Sequence, residues 1–370
     1  MSNNKPPFMG ERVRFNEAFR EISRGVAKYK QAEYQAYGEH PIIDQGQGEV
    51  AGYADGEVGL CTDIPAIVFG DHTRAVKYLE EPFFAGADGV KILKPLLSDN
   101  VRYWYHALRA TRIESLGYSR HFKLLKECSF WIHPISDQDH IVRVLDGVLD
   151  LICLQEERLS LLDSLVKSQF VEMFGDPTTE HDGWLYEPIG NVCQVITGNT
   201  PSRKDEANYG DYVEWCKTDN ITEARYLTKA AESLSKTGAQ KGRVAPAGSV
   251  LMACIAGSIK TIGKVAINDR SVAFNQQINA LIPMDELCVD YLLWALRLSK
   301  NYLCSDVNMQ LKGILNKSAL SAKKYVIPPF ALQQQFASFV AEVDKSRFVV
   351  QRQIEKLQTL YDSLAQEYFG

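Results

Sequence analysis

Side chains able to hydrogen-bond the edges of DNA bases are concentrated in short polar segments, most of which follow a predicted strand. Asn and Gln match adenine, whereas Arg and Lys match guanine and also bind phosphate. In the first half of the chain the candidates are Arg24, Lys28, Lys30, Gln45, Gln47, His72, Thr73, Arg74 and Lys77. In the second half they are Thr197, Asn199, Thr200, Arg203, Lys217, Asn220, Ser258, Lys260 and Thr261. Each residue taken alone is more simply explained as a solvated surface position, and residue type by itself does not show that these loops bind a nucleic acid.

A cluster of three amides, Asn275-Gln276-Gln277, lies between the apolar residues Phe274 and Ile278. These flanks allow two interpretations of the cluster. The amides could contact bases, or they could form a buried polar support that holds the neighbouring loops in place. The sequence favours neither interpretation over the other.

Two segments approach enzyme motifs without completing them. The segment from Gly257 resembles a phosphate-binding loop, but five residues separate Gly257 from Gly263 where four are needed, and Val265 stands where Ser or Thr would bind magnesium. Ile327-Pro328-Pro329-Phe330 resembles the Asn-Pro-Pro-aromatic segment of amino-methyltransferases, but Ile327 has no amide to hold a target amino group. No group of Cys, His or carboxylate residues has metal-ligand spacing. The sequence therefore predicts a non-catalytic chain that holds no cofactor or metal.

The polar segments alternate with apolar runs of strand length that are bounded by Gly, Asp and Pro. Predicted strands in the first half include residues 41–43, 66–69 and 89–95, followed by a helix at 101–112. Predicted strands in the second half include residues 212–216, 250–255 and 277–283. Each half is thus expected to form a mixed α/β globule whose loops carry the candidate residues.

Two long stretches show apolar residues in 4-3 alternation, which is the pattern of a helix packed along a second helix. The first seam consists of Ile141, Leu145, Val148, Ile152, Gln155, Leu159, Leu162 and Val166. The second consists of Phe336, Val340, Val343, Arg347, Val350, Ile354, Leu357, Tyr361, Leu364 and Tyr368. Only Gln155 and Arg347 are polar, and one polar seam position can fix the register of a helix pair. We predict one intramolecular, antiparallel, two-helix coiled coil.

The two halves of the chain repeat each other in order. Tyr291–Leu296 resembles Tyr103–Leu108, and each long helix closes with an aromatic residue and a glycine, at Gly175 and Gly370. The predicted fold class is α+β, with two α/β domains joined by two long antiparallel helices and an internal pseudo-two-fold repeat. The predicted boundaries are 1–134 for the first domain, 135–175 for the first helix, 176–330 for the second domain and 331–370 for the second helix.

Composition is that of an ordinary globular protein, with 45% hydrophobic and 24% charged residues. The net charge of −5 lies on the first long helix, because residues 135–175 hold 3 basic and 8 acidic residues. Residues 1–134 are neutral, with 17 of each sign. Eight scattered cysteines and the lack of an apolar stretch of about 18 residues lead us to expect a cytoplasmic protein with reduced thiols and no contact with a membrane.

The layout resembles the specificity (S) subunit of type I restriction-modification enzymes over nearly the whole chain. The most specific stretch runs from Lys317-Ser318-Ala319-Leu320 through Val326-Ile327-Pro328-Pro329-Phe330 to Gln333-Gln334-Gln335-Phe336. It is similar to the family's succession of a strand, a Pro-Pro pair and a Gln-rich helix start at the end of a target-recognition domain. Residues 274–279 and 197–202 are also similar to that family.

This resemblance implies a non-catalytic reader of double-stranded DNA, in which at least two of the polar loops named above contact the duplex. Two target-recognition domains would each read half of a split sequence, and the helices would separate them and dock two methyltransferase (modification) subunits. S-adenosylmethionine would then be bound by the methyltransferase partner, and restriction (nuclease-translocase) subunits are a further possible partner. The 37 residues from 138 to 174 would span about 55 Å as a helix, which exceeds one DNA turn of about 34–36 Å.

Two alternatives remain open at this stage. The chain could be the DNA-specificity subunit of a type IIB-like restriction system, which the sequence does not distinguish from the type I assignment. It could instead be a non-DNA coiled-coil scaffold whose aromatic residues, such as Trp104 and Trp294, bind proteins or glycans. Those aromatics have helical spacing beside leucines, which favours core packing.

Overall fold

The computed structural model describes residues 11–86, 89–98, 100–117, 119–258, 260–305, 307 and 313–370. The chain divides into two compact units. Unit 1 comprises the described residues up to Glu157 together with Gln351–Gly370, and unit 2 comprises Arg158–Val350. None of the helices that the structure describes has the length and hydropathy needed to cross a lipid bilayer.

Unit 1 contains ten short strands and three short helices, besides its parts of the two long helices. The strands are β1 (Glu11–Arg14), β2 (Phe19–Glu21), β3 (Lys28–Tyr29), β4 (His40–Ile43), β5 (Gly52–Ala54), β6 (Ala66–Gly70), β7 (Val76–Leu79), β8 (Phe84–Gly86), β9 (Val90–Pro95) and β10 (Ser129–Ile132) within the described ranges. The short helices are α1 (Phe15–Ala18), α2 (Val101–Ala110) and α3 (Phe122–Glu127).

The long helices are α4 (Ile135–Phe174) and α10 (Phe330–Phe369), and both units share them. The strands of unit 2 are β11 (Leu185–Pro188), β12 (Cys193–Thr197), β13 (Tyr209–Cys216), β14 (Ser233–Leu234), β15 (Val244–Ala245), β16 (Ser249–Ala253), β17 (Ile255–Ala256), β18 (Val265–Asn268), β19 (Val272–Phe274), β20 (Ile278–Pro283), β21 (Gly313–Ile314) and β22 (Lys324–Ile327). Its short helices are α5 (Ile189–Val192), α6 (Lys236–Lys241), α7 (Val289–Leu298), α8 (Lys300–Leu303) and α9 (Lys317–Ala322).

The two units repeat one topology. An antiparallel sheet of order β2-β9-β6-β7 in unit 1 has its counterpart in β12-β20-β16-β18 of unit 2. The pair β1–β10 corresponds to β11–β22. Helix α2 follows β9 and α7 follows β20, and these two strands hold equivalent positions in their sheets, so α2 corresponds to α7. The predicted repeat is therefore confirmed.

The second sheet of each unit shows where the repeat breaks down. Three strands correspond, with β5-β4-β8 matching β14-β13-β19 and the β4–β8 and β13–β19 pairs both parallel. The fourth strand differs, because β3 pairs parallel with β8 whereas β15 pairs antiparallel with β19. The loops next to this sheet therefore arise from different parts of the chain in the two units.

Most residues of the predicted helix seam are buried inside each unit. In unit 1 the start of α4 lies against the end of α10, and Ile141, Leu145, Val148, Ile152, Ile354 and Tyr361 are buried. Val350, which belongs to unit 2, is also buried. In unit 2 the end of α4 lies against the start of α10, where Val166, Phe336, Val340 and Val343 are buried. Leu159, Leu162 and Leu357 are half-buried. The pairing is antiparallel, as predicted.

A polar contact marks the seam in unit 2, as the sequence predicted for Arg347. Its guanidinium donates from Nη2 to Asp163 Oδ1 at 2.6 Å. This bond joins α10 to α4 at a single point, so a shifted register would leave Asp163 without this partner. Such a contact favours one alignment of the two helices.

In each unit, charged or aromatic side chains tie the globule to the long helices. In unit 1, His106 of α2 is fully buried between Asp146 of α4 (Nε2–Oδ1 2.9 Å) and Tyr361 of α10 (Nδ1–Oη 2.8 Å). In unit 2, Arg225 donates to both Asp290 of α7 and Asp344 of α10. The globule of unit 1 therefore contacts both long helices, and these ion pairs join the globule of unit 2 to α10.

One expectation about the helices is wrong. The predicted seam of the first helix ends at Val166, so the sequence pattern predicts that the helix pair leaves the apolar residue Phe170 uncovered. The side chain is instead completely buried. It stacks on Tyr291 of α7 with ring centroids 5.4 Å apart, and it also contacts Phe174 and Phe336. The globule of unit 2, and not a partner, covers this part of α4.

Candidate nucleic-acid interface

The loop that follows β12 packs closely on the turn between β19 and β20. Backbone hydrogen bonds of 3.0 Å join Gly198 N to Ile278 O and Asn199 N to Phe274 O. A Cβ atom at residue 198 would overlap the carbonyl oxygens of Phe274 and Asn275. Only glycine allows the two backbones to approach this closely, so Gly198 brings the polar residues 197–203 next to residues 275–277.

Side chains continue this contact. Thr197 Oγ1 donates to Asn279 Oδ1 at 2.7 Å, and Thr200 Oγ1 donates to Gln276 Oε1 at 2.5 Å. Asn275 is buried, and its Oδ1 accepts the backbone N–H of Gln277 at 3.1 Å. The amide cluster thus divides between the two interpretations: Asn275 supports the turn, whereas Gln276 is exposed at its tip.

Two cations from separate loops meet at Trp215 near the end of β13. The charged groups of Arg203 and Lys217 each lie 5.2 Å from the centre of the Trp215 ring, at cation–π distance. Both are paired with Glu232, Arg203 at 2.8 Å. The hydrogen bond from Lys217, assisted by that from Arg203, lowers the pKa of Glu232, so this carboxylate is ionised at neutral pH.

Asn199 completes the cluster. Its backbone carbonyl accepts the Trp215 indole N–H at 3.3 Å. Its side chain donates to Lys241 O and accepts the backbone N–H of Arg243, both at 2.8 Å. The structure therefore brings together residues from three sequence segments and the β19–β20 turn. We call Asn199, Thr200, Arg203, Lys217 and Gln276 the unit 2 patch.

Other candidates of unit 2 lie apart from this patch or serve another role. Asn220 is buried, and its side chain holds Lys217 N, Thr228 and Lys229, so its polar atoms shape the loop from within. Ser258, Lys260 and Thr261 lie in the turn before β18, where Lys300 Nζ donates to Lys260 O at 2.7 Å. In the described part of the chain, no hydrogen bond joins this turn to the unit 2 patch.

In unit 1 the structure joins the loop after β4 to the β6–β7 turn. Gln45 Oε1 accepts the His72 backbone N–H at 3.2 Å, and Thr73 Oγ1 donates to the Gln45 carbonyl. Arg74 next to them has the left-handed φ of 63°, uncommon for a residue with a side chain. Its guanidinium donates to Ile113 O at 2.8 Å. We call Gln45, His72, Thr73 and Arg74 the unit 1 patch.

The remaining candidates of unit 1 are dispersed. Lys77 pairs with Asp44 at 3.4 Å, and its side chain is 10% exposed. Burial lowers the pKa of Lys77 even though Asp44 opposes that change. Gln47 is exposed, while Arg24, Lys28 and Lys30 are exposed beside β3, which β8 separates from β4. These residues stay predictions as DNA contacts.

Two members of the assembled site had no role in the sequence prediction. Trp215 lies in a predicted strand. The sequence feature that could have indicated its role in the site is its position immediately before the Cys216-Lys217 pair. Glu232 lies 15 residues beyond Lys217 and 29 beyond Arg203. No local pattern indicates that one carboxylate joins both cations, because only the pairing of β13 with β14 brings it there.

Comparisons with known proteins agree with this picture. Residues 181–359 match the family model of the type I restriction modification DNA specificity domain. The chain is 33% identical over 117 residues to the type I restriction enzyme HindI specificity subunit of Haemophilus influenzae, covering 31% of this chain and 25% of that protein. It is 24% identical over 197 residues to the MjaIX specificity subunit of Methanocaldococcus jannaschii, covering 50% and 44%. Each match spans less than half of the relative's length.

Solved structures show the same fold. The type I restriction-modification S subunit from M. genitalium superposes with a TM-score of 0.51 at 13% identity, covering 100% of this chain and 98% of that chain. A chain from a structural study of assembly and conformational transition in the type I R-M system superposes with a TM-score of 0.56 at 15% identity, covering 98% of both chains. The predicted fold class and the family resemblance are confirmed.

Proposed function

We propose that this chain, as a relative of the type I restriction-modification specificity subunits, is the DNA-recognition subunit of such a complex. Unit 2 would read one half of a split target on double-stranded DNA, and unit 1 would read the other half. The observation that supports this most strongly is the unit 2 patch, where two cations and the exposed amide of Gln276 from separate loops form one surface within the matched residues 181–359.

The chemistry of the unit 2 patch suits a DNA duplex. Arg203 and Lys217 can bind backbone phosphates, and Gln276 offers an amide suited to a base edge. In the free protein Glu232 holds both cations in place. A phosphate would compete with this carboxylate, so Glu232 both positions the cations and limits non-specific affinity.

The chain would itself be non-catalytic and hold no cofactor. Methyl transfer from S-adenosylmethionine would belong to two methyltransferase subunits, and restriction subunits would join the same complex. Burial raises the pKa of Cys193, Cys216 and Cys254 to about 12, so these thiols stay protonated at neutral pH. All eight cysteines lie in the described part of the chain as free thiols.

The long helices would dock the methyltransferase subunits. Large apolar side chains remain exposed on α4 in each unit, with Leu154 at 56% in unit 1 and Leu161 at 62% in unit 2. Val349 of α10 is 54% exposed. Exposed apolar groups on helices whose seams are already filled are typical of a protein interface. The same helices would keep the two half-sites at a fixed separation.

The proposal predicts a salt-dependent loss of DNA affinity when the cations of unit 2 are removed. In the complex with its methyltransferase subunits, Arg203→Gln and Lys217→Gln should each weaken binding to all sequences alike. Each should also lower the slope of log affinity against log salt by about one unit, as expected for a lost phosphate contact. Glu232→Gln should act in the opposite direction and strengthen binding. Affinity would be measured by fluorescence anisotropy with a labelled duplex at several salt concentrations.

Lys317→Gln is the matched control, because Lys317 is an exposed cation on α9 of the same unit. It should leave the affinity and the salt slope unchanged. If Arg203→Gln and Lys217→Gln behave like this control, the unit 2 patch does not contact the DNA backbone. If the wild-type complex fails to bind DNA even at low salt, the proposed function itself is wrong.

A further inference from the structure

We infer that Gln276 is a specificity-determining residue that recognises an adenine in the half-site read by unit 2, with Thr200 as its positioning residue. This inference rests on the proposed function and assigns it to one side chain. Gln276 was not among the candidate DNA-binding residues. The sequence left two roles open for its amide cluster, a base contact or a buried support.

The backbone around Gln276 is fixed on both sides. Asn275 N donates to Cys216 O of β13, and Ile278 N donates to Asn275 O, both at 3.1 Å. The Asn275 side chain adds two bonds to Gln277, to its backbone N–H at 3.1 Å and to its Oε1 at 3.2 Å. The turn is therefore rigid, and Gln276 is the one exposed residue between the buried Asn275 and the half-buried Gln277.

The amide of Gln276 is oriented before any ligand binds. Thr200 Oγ1 donates to Gln276 Oε1 at 2.5 Å, across the contact that Gly198 makes possible. Among the residues that the structure describes, this is the only hydrogen bond of the Gln276 side chain. A carbonyl oxygen has two acceptor positions and the amide nitrogen has two N–H groups. One acceptor position and both donors thus remain for a ligand.

Those remaining groups match adenine. In the major groove adenine presents its N6 amino group as a donor and N7 as an acceptor, side by side. Gln276 Oε1 can accept from N6 while Nε2 donates to N7. An uncharged amide gains little from phosphate, so the neighbouring Arg203 and Lys217 are better suited to the backbone. Because Thr200 already limits the rotation of the side chain, less conformational freedom is lost on binding.

Unit 1 places an amide beside the start of β9, the counterpart of β20, by a different route. Gly89 immediately precedes β9, and a Cβ there would lie 2.8 Å from Gln45 Oε1. Glycine therefore leaves the space that the Gln45 side chain occupies next to His72. Gln45 follows β4, the counterpart of β13, so two unrelated chain segments bring a glutamine to the same point of the repeated fold.

The test is selection of bound duplexes from a randomised library by the complex of the full chain with its methyltransferase subunits. The wild-type complex should select a split motif. Gln276→Ala should reduce the preference for adenine at one position of one half-site by about five- to 150-fold, the value of a bidentate base contact, and retain every other position. Thr200→Val should reduce the same preference less. Gln194→Ala is the control, since Gln194 is exposed on β12 of the same unit.

The outcomes separate this inference from the proposed function. Absence of any selected motif with the wild-type complex would contradict the proposed function. A wild-type motif that Gln276→Ala leaves intact at every position would overturn the inference alone. So would a uniform loss across all positions, which indicates a structural role, or a loss at a position that is not adenine.

Discussion

Replacing Leu145 with aspartate is expected to lower the free energy of unfolding of unit 1 by at least about 3 kcal/mol. Leu145 is completely buried in the seam between α4 and α10. Truncation of a buried leucine to alanine alone costs about 2–5 kcal/mol, and an unpaired carboxylate in an apolar seam adds the cost of its desolvation. Urea unfolding followed by circular dichroism would measure the change.

Leu151→Asp provides the matched control on the same helix. Leu151 is 47% exposed and lies outside the seam, so its substitution should change stability by less than about 1 kcal/mol. Leu159 and Leu357 are half-buried and would give intermediate losses, although the heptad pattern alone ranks them equal to Leu145. Equal unfolding midpoints for Leu145→Asp and Leu151→Asp would show that the helix pair is wrong.

Replacing Arg225 with methionine is expected to destabilise unit 2 by about 3–5 kcal/mol, because it leaves a buried charge without its partner. The side chains of Arg225 and Asp290 are 15% and 10% exposed, and Asp344 is the second acid that the guanidinium joins. Burial raises the pKa of Asp290 above its usual range. The loss should therefore shrink as the pH falls and Asp290 becomes protonated.

A double variant, Arg225→Met with Asp290→Asn, tests the cause of that loss. Removal of the uncompensated carboxylate should restore part of the stability, and the restored part should be measurable as a non-additive term in a double-mutant cycle. The readout is the free energy of unfolding in urea at pH 7 and pH 5. A single variant that loses less than about 1 kcal/mol at pH 7, or a loss that grows on acidification, would contradict this account.

The helix pair could be predicted because its signal is local. A 4-3 alternation places one face of a helix against a partner whatever the rest of the chain does, so Ile141 and Val350 were correctly expected to be buried. For Phe170 the same pattern gave a wrong prediction, because it left this residue uncovered by the helix pair. Its burial depends on Tyr291 of α7, a residue about 120 positions away, and no helical period encodes that contact.

The candidate site was predictable in its parts and not in its assembly. Polar residues after strands identified Asn199, Arg203 and Lys217. All three contact Trp215, and Glu232 pairs with Arg203 and Lys217. These contacts follow from strand pairing, which the sequence does not show. Asn220 has the same local character as Asn199, yet it is buried, because a side chain's polarity does not decide which way a loop folds.

The central claim is that the two units read separate halves of one DNA target, and methylation mapping by the assembled complex tests it most directly. Two double variants should be compared with the wild type, Thr200→Ala with Gln276→Ala in the unit 2 patch and Gln45→Ala with Arg74→Ala in the unit 1 patch. We predict a split wild-type motif with a fixed gap, relaxed in one half by the first variant and in the other half by the second. If both variants relax the same half, or if the wild-type motif is one continuous sequence, the two units do not act as independent readers.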